Sequence, residues 1–130
     1  MNFEFCLLNS KKVTCDQRDR FADDFWQYPS LIAEVLSPST EARDRGIKQQ
    51  NYMLIDTMQT YILITPDCPR IEIYQRRDRA WEYLSIAIEL TDFDSNDPVI
   101  HIASLDLQFP LSLLYENIDF PNSENASGTF

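Results

Sequence analysis

One charged residue of this 130-residue chain stands where charge is costly. Glu34 falls inside the apolar run Leu31-Ile32-Ala33-Glu34-Val35-Leu36. An ionised carboxylate in such a strand needs a partner or a metal. Taken alone, it is most simply a structural salt bridge, because buried charges are as a rule paired. It does not stand alone. Downstream, Asp44, Lys48, Tyr52 and Ile55 recur at helical spacing and so share one helix face. The turn at Pro38 folds that helix back toward the end of the strand. A strand carboxylate facing a helix lysine can hold a divalent metal and a water nucleophile over a phosphodiester. The metal polarises the phosphate and lowers the pKa of the water, while the lysine stabilises charge on the pentavalent centre. Carboxylate oxygens suit Mg2+ or Mn2+, which keep several waters. Ser37 and Ser39 are better read as helix caps than as reagents.

Other chemistries are removed by composition. Only two glycines occur, Gly46 and Gly128, so no glycine-rich phosphate loop can be built. The single histidine, His101, lies in the alternating run Val99-Ile100-His101-Ile102 and reads as an exposed strand position. Cys6, Cys15 and Cys68 are odd in number and contain no Cys-x-x-Cys pair. They fit reduced thiols of a cytoplasmic protein better than a disulfide framework or a zinc site.

The elements that must position Glu34 and Lys48 follow from the pattern. Ser30 to Leu36 suits a buried central strand, bounded by Pro29 and Pro38. Ser39 or Thr40 can cap a helix running from about Glu41 to Ile55, with Glu41 favourable in its first turn. Gly46 costs that helix about 1 kcal/mol against Ala, which suggests a point of close packing. Tyr61 to Thr65 is a second buried strand, and Arg70 to Arg76 a half-exposed one. Ala80 to Leu90 is a further alternating run. Val99 to Ile102 is a last strand, and Leu111 to Tyr115 a short helix. Asn2 to Leu8 and Lys12 to Cys15 are short strand candidates, and Asp16 to Gln27 reads as a loop. The expected class is mixed α/β, as one domain over residues 1–120 with a flexible tail at 121–130. No run approaches the roughly 18 apolar residues of a membrane span.

The net charge is −10, and its placement matters more than its sum. After Arg79 there is neither Lys nor Arg, and the stretch carries −9. Residues 1–81 are nearly neutral. The acidity argues against non-specific nucleic-acid binding by the whole surface. It leaves room for a local basic groove within residues 11–79.

Pro29 to Tyr52 carries a more specific signal. The block EVLSPST, followed by Asp44-Arg45-Gly46-x-Lys48 and Tyr52, resembles the Uma-type family of restriction endonucleases, common in cyanobacteria. That family belongs to the PD-(D/E)XK nuclease superfamily. The likeness continues through Gln59 to Ile64, the hairpin at Ile71 to Arg77, Ile102 to Asp106 and Leu113 to Glu116, and covers roughly residues 13–120. It implies a restriction-endonuclease-like mixed central sheet with a flanking helix and C-terminal β-hairpins. It also implies a Mg2+- or Mn2+-dependent endonuclease that hydrolyses DNA phosphodiesters. By the resemblance Glu34 is the acidic, metal-binding residue of the (D/E)XK element. Leu36 occupies the usual lysine position, and Lys48 takes over the basic role from the helix. Asp16, Asp44 and Tyr52 are candidate supporting residues, and the resemblance implies that Gln49, Gln50 and Tyr52 line the site, though each is more often plain helix surface or packing.

The chain departs from the family at one telling place. The second metal ligand of the family is the Asp of a Pro-Asp pair before a strand that Val13-Thr14-Cys15-Asp16 matches. Counting back, that pair is replaced by Asn9-Ser10, and a serine hydroxyl is no substitute for an anionic Mg2+ ligand. Residues 1–12 show no likeness to the family's N-terminal helix and hairpin, which suggests an N-terminally truncated remnant. The competing account shifts Asp16 or Asp19 into the site. Asp16 lies roughly 20 Å from Ser10 along an extended strand, too far for simple substitution. Three readings follow: an active endonuclease; an impaired or catalytically dead member of the same fold; or an acidic module that binds a basic protein partner. DNA is the expected substrate and no membrane is expected. A homodimer is one arrangement left open, since many nucleases cut two strands as dimers.

Overall fold

Two runs rich in Ile and Leu, β3 (Leu31–Val35) and β4 (Thr60–Thr65), form the centre of a six-stranded sheet. The computed structural model describes residues 2–5, 10–14, 28–37, 41–89, 95–116, 118 and 120, with backbone alone at 2–5, 10–14, 43 and 44. The sheet runs in sequence order from β1 (Asn2–Phe5) and β2 (Ser10–Thr14) through β3 and β4 to β5 (Arg70–Arg77) and β6 (Ala80–Ala87). Every neighbouring pair is antiparallel except β3–β4. A parallel pair needs a crossover connection, and the helical segment 41–53 supplies it. A second sheet is the hairpin of β7 (Val99–Ile102) and β8 (Leu107–Pro110), followed by a 3-10 helix at Leu111–Tyr115.

Strand alternation divides the large sheet into two unlike faces. Leu31, Ile62, Ile71 and Ile73 point to one face and pack with Ile100, Ile102, Leu111 and Tyr115 into the main apolar core. Each of these side chains contributes about 1.5–3 kcal/mol on burial. The opposite face carries Ile32, Glu34, Tyr61, Leu63, Glu72 and Tyr74. The helical segment lies over it.

That segment is not a regular α-helix. Short α-helical turns at Glu41–Arg43 and Gln49–Met53 flank a π-helical stretch, Asp44–Lys48. The helix therefore ends two residues before the expected Ile55, whose N–H bonds to the Tyr52 carbonyl in the turn that follows. Gly46 lies in the wide stretch, and a Cβ there would meet nothing within 4 Å. It is thus not the close packing point expected from sequence. The Glu41 N–H bonds to the Ser37 backbone carbonyl at 2.9 Å. Ser39 and Thr40, the expected caps, lie outside the described residues.

Three further expectations need correction or limits. Arg70–Arg77 is not half-exposed at its start: Ile71, Glu72 and Ile73 are all buried, because both faces of the sheet are covered there. β6 ends at Ala87 rather than Leu90. β8 was not foreseen. His101 is exposed in β7, as expected, and Cys68 is a free thiol. The loop 16–27, Cys6, Cys15 and the tail 121–130 lie outside the described residues. No helix among the described residues is long and apolar enough to cross a membrane.

Candidate active site

β3 delivers Glu34 to the helix-covered face, where its side chain is 2% exposed. Its carboxylate is held from three directions. The Tyr52 hydroxyl donates to Oε1 at 3.1 Å, and the Tyr61 hydroxyl reaches Oε2 at 3.4 Å. Lys48 brings its Nζ to 3.6 Å from Oε1. Tyr52 and Lys48 both come from the helical segment, and Tyr61 comes from β4. The strand carboxylate and helix lysine expected to face each other do so. Leu36, two residues beyond Glu34 and on the same face, is buried with Tyr61 and Leu63, and Tyr52 and Tyr74 pack against them. Position 36, to which the resemblance assigns the usual lysine, is therefore an apolar wall, and the cation beside Glu34 comes from the helix.

Other candidate residues are placed as follows. Position 10 of β2 pairs directly with Glu34 in the β2–β3 register. Directly opposed positions of an antiparallel pair have Cβ atoms about 4.5–5.5 Å apart on one face. Asp44 is in the π-helical stretch, with only its backbone described. Asp16 lies outside the described residues. Gln49 hydrogen-bonds Tyr74 rather than Glu34, and Gln50 is exposed.

A second buried carboxylate shares this face. The register runs Glu34 to Leu63 to Glu72, so the two glutamates lie in one row across the sheet, one strand between them. Glu72 is 1% exposed. Arg45 of the helical segment donates to both of its oxygens, at 2.9 Å and 2.5 Å, and the Tyr83 hydroxyl donates to Oε1 at 2.5 Å. Arg70 adds a longer contact of 3.6 Å. The Arg45 guanidinium holds the Glu72 carboxyl below the usual glutamate range, against the opposing effect of burial, and Tyr83 and Arg70 act in the same direction. The Arg45 pKa is raised in turn. Tyr61, Tyr74 and Tyr83 form a row of rings across β4, β5 and β6 beside the row of the glutamates, with centroids 6.1 Å and 4.9 Å apart. Burial raises the Tyr74 hydroxyl pKa, with Tyr83 and Glu72 adding to it.

Arg45, Glu72, Tyr61 and Tyr83 were not singled out by sequence reasoning. The signal for Glu72 was present and is the one that marked Glu34: a carboxylate flanked by large aliphatics, Ile71-Glu72-Ile73. Arg45 stands in the Asp44-Arg45-Gly46-x-Lys48 block that carries the resemblance, but its role was not legible there, because its partner is 27 residues away.

A donor set for a divalent ion can be judged from these contacts. Among the described residues no group of three or more His, Cys, Asp or Glu side chains gathers. Glu34 offers one carboxylate, already engaged by two phenols and an ammonium. Glu72 is committed to Arg45. Among the described side chains this face thus supplies one carboxylate not committed to an arginine, where Mg2+ is commonly held by one or two carboxylates together with waters.

Comparison with known proteins agrees with the resemblance. The profile of the Uma2 family, described as "Putative restriction endonuclease", matches residues 11–111. The chain is similar to uncharacterized protein slr1290 of Synechocystis sp., with 35% identity over 108 residues, 83% of this chain and 53% of that protein. It is also similar to uncharacterized protein sll1609 of the same organism, with 48% identity over 54 residues, 41% of this chain and 30% of that protein. The chain thus spans about half the length, or less, of these curated relatives. With a mixed sheet, one crossover helix and a C-terminal hairpin in a restriction-endonuclease-like arrangement, the chain belongs to the Uma2 family.

Proposed function

We propose that this chain descends from metal-dependent endonucleases that hydrolyse DNA phosphodiesters, and that its own site is catalytically impaired at position 10. The pairing of Ser10 with Glu34 across β2 and β3 is the observation that carries this reading. An aspartate at position 10 would stand opposite the Glu34 carboxylate at cross-strand distance. Two carboxylates so placed can share a divalent cation, which then supplies Lewis-acid polarisation and an activated water. Serine supplies no anion there.

The residues present retain part of the machinery. Lys48 is placed to neutralise charge on a phosphate oxygen near Glu34. Tyr52 and Tyr61 fix the two oxygens of Glu34, so its orientation is set before any substrate arrives. DNA is the substrate that the family description supports.

The test is cleavage of supercoiled plasmid with Mg2+ or Mn2+. The expected result is little or no cleavage by the wild type, clear nicking by Ser10→Asp, and loss of that nicking in Ser10→Asp/Glu34→Ala. No gain from Ser10→Asp, in a variant shown to be folded, overturns the assignment of position 10. Robust wild-type cleavage that Glu34→Ala abolishes overturns the impairment and keeps the nuclease. Wild-type cleavage that Glu34→Ala leaves intact overturns both.

A further inference from the structure

Lys48 is carried on an unsupportive piece of backbone. The stretch Asp44–Lys48 is π-helical, a conformation whose wide turn is used in short pieces and often at functional sites. The α-helical turn that follows it fully buries no residue, and it packs on the sheet through the partly buried Tyr52, against Leu36, Tyr61 and Leu63. The contact of Lys48 with Glu34, at 3.6 Å, is longer than a good charge-assisted hydrogen bond. A flexible four-carbon stem cannot be placed by such a contact alone.

Arg45, three residues earlier in the same stretch, is held much more firmly. Its two parallel bonds to Glu72 fix both the distance and the plane of the guanidinium. A third bond, 2.9 Å to Glu41, ties it to the first helical turn. Glu72 is in turn oriented by the Tyr83 hydroxyl and by Arg70. Because Glu72 and Glu34 share one row of the sheet, fixing Arg45 over the first fixes Lys48 over the second.

We propose that the Arg45–Glu72 ion pair is a positioning clamp that holds the π-helical stretch against the sheet and so sets Lys48 beside Glu34. Arg45 and Glu72 are positioning residues and touch no reacting atom. The inference rests on Glu34 and Lys48 being the chemical pair of the site, and its test reads Lys48 directly, apart from DNA cleavage.

The experiment measures the rate at which an acylating reagent modifies the Lys48 amine of the folded protein, by peptide mass spectrometry. Glu34→Gln sets the scale, with labelling faster by roughly three- to fivefold once the ion pair is lost. Glu72→Gln and Arg45→Gln are expected to reach a similar rate while the near-UV circular dichroism stays native. Arg45→Lys keeps the charge but loses the two-pronged geometry, and is expected to fall between. If Glu72→Gln fails to fold, Arg45→Gln decides. Arg45 is only partly buried, and Arg76 still holds the far end of the helix through the Met53 and Ile55 carbonyls. Native-like protection of Lys48 in a folded Arg45→Gln protein overturns the clamp. Absence of cleavage by Ser10→Asp counts against the proposed function, while the labelling still decides the clamp.

Discussion

Two glutamates in one row of a sheet are held by different partners. Glu72 is matched by a guanidinium with two short bonds, whereas Glu34 has two phenols and a distant ammonium. Removing one partner of a well-formed buried pair leaves an uncompensated charge. Glu72→Gln is therefore expected to cost about 2–4 kcal/mol, read as a shift in urea midpoint at pH 7. The acid side follows from the direction of the shift. A carboxyl whose folded pKa is lowered adds stability that is present above its unfolded value, about 4.5, and is lost as pH falls through the lowered one. Between pH 7 and pH 3 the wild type should lose more stability than Glu72→Gln does. Tyr115 gives the alkaline counterpart. Its hydroxyl takes the Arg70 N–H at 3.1 Å and lies 2.6 Å from the Thr65 carbonyl, so it ties the β4–β5 turn to the 3-10 helix. Burial pushes its pKa up from 10.0 to about 12. Its contribution is whole below pH 10 and is lost as pH rises through 12. Tyr115→Phe should lower stability by about 1–3 kcal/mol at pH 7 and remove that part of the alkaline loss.

The helical segment is the element on which both glutamates depend, and it is pinned by two arginines of opposite origin. Arg45 reaches from helix to sheet. Arg76 reaches from β5 to the last helical carbonyls, at 3.1 Å and 3.2 Å, while its guanidinium lies 4.9 Å from the Trp81 ring centre. Cations suit this end, where carbonyls lack helical partners. Between the two pins lies Gly46, with no positive φ and open space where a Cβ would be. Gly46→Ala is therefore expected to stabilise the protein by about 0.5–1 kcal/mol, measured by urea unfolding, since it only restricts the unfolded chain and improves helix propensity. The sequence pattern showed where this helix begins and that Lys48 and Tyr52 share a face toward Glu34. It could not show the π-helical stretch, because a period of 3.6 is assumed when the face is drawn. The pattern of β5 misled for a related reason: alternation reads as half-buried unless a second layer is known, and the layer here is the helix with Arg45. β8 was missed because four residues ending in Pro110 are too short and too proline-marked to read as a strand.

At the scale of the whole molecule the two faces of the large sheet divide the work. One carries charges and phenols under the helix; the other carries aliphatics under the β7–β8 hairpin and the last 3-10 helix. The acid-rich stretch after Arg79 supplies β6, at the sheet edge, and the layer on the aliphatic face. Tyr83 of β6 does reach the face that holds Glu34 and Lys48, but Glu82 points to the other face, and Asp97, Asp106 and Glu116 belong to the hairpin layer and the segments beside it. A nucleic-acid backbone approaching Lys48 meets less repulsion than a net charge of −10 suggests. The same arrangement makes the last third of the chain structural as well as acidic. Ile100 and Ile102 of β7 are fully covered, although their hairpin shares no ladder with the six-stranded sheet. The two sheets are joined by packing, with a Thr60–Ser104 hydroxyl bond at 2.7 Å alongside. Ile100→Ala should therefore cost about 2–5 kcal/mol, the range for emptying a well-packed aliphatic site. If the layers form one cooperative unit, its unfolding by far-UV circular dichroism and by tyrosine and tryptophan fluorescence will coincide at the lowered midpoint. Separate transitions would show instead that the hairpin layer detaches first, leaving the site face standing on a bare sheet.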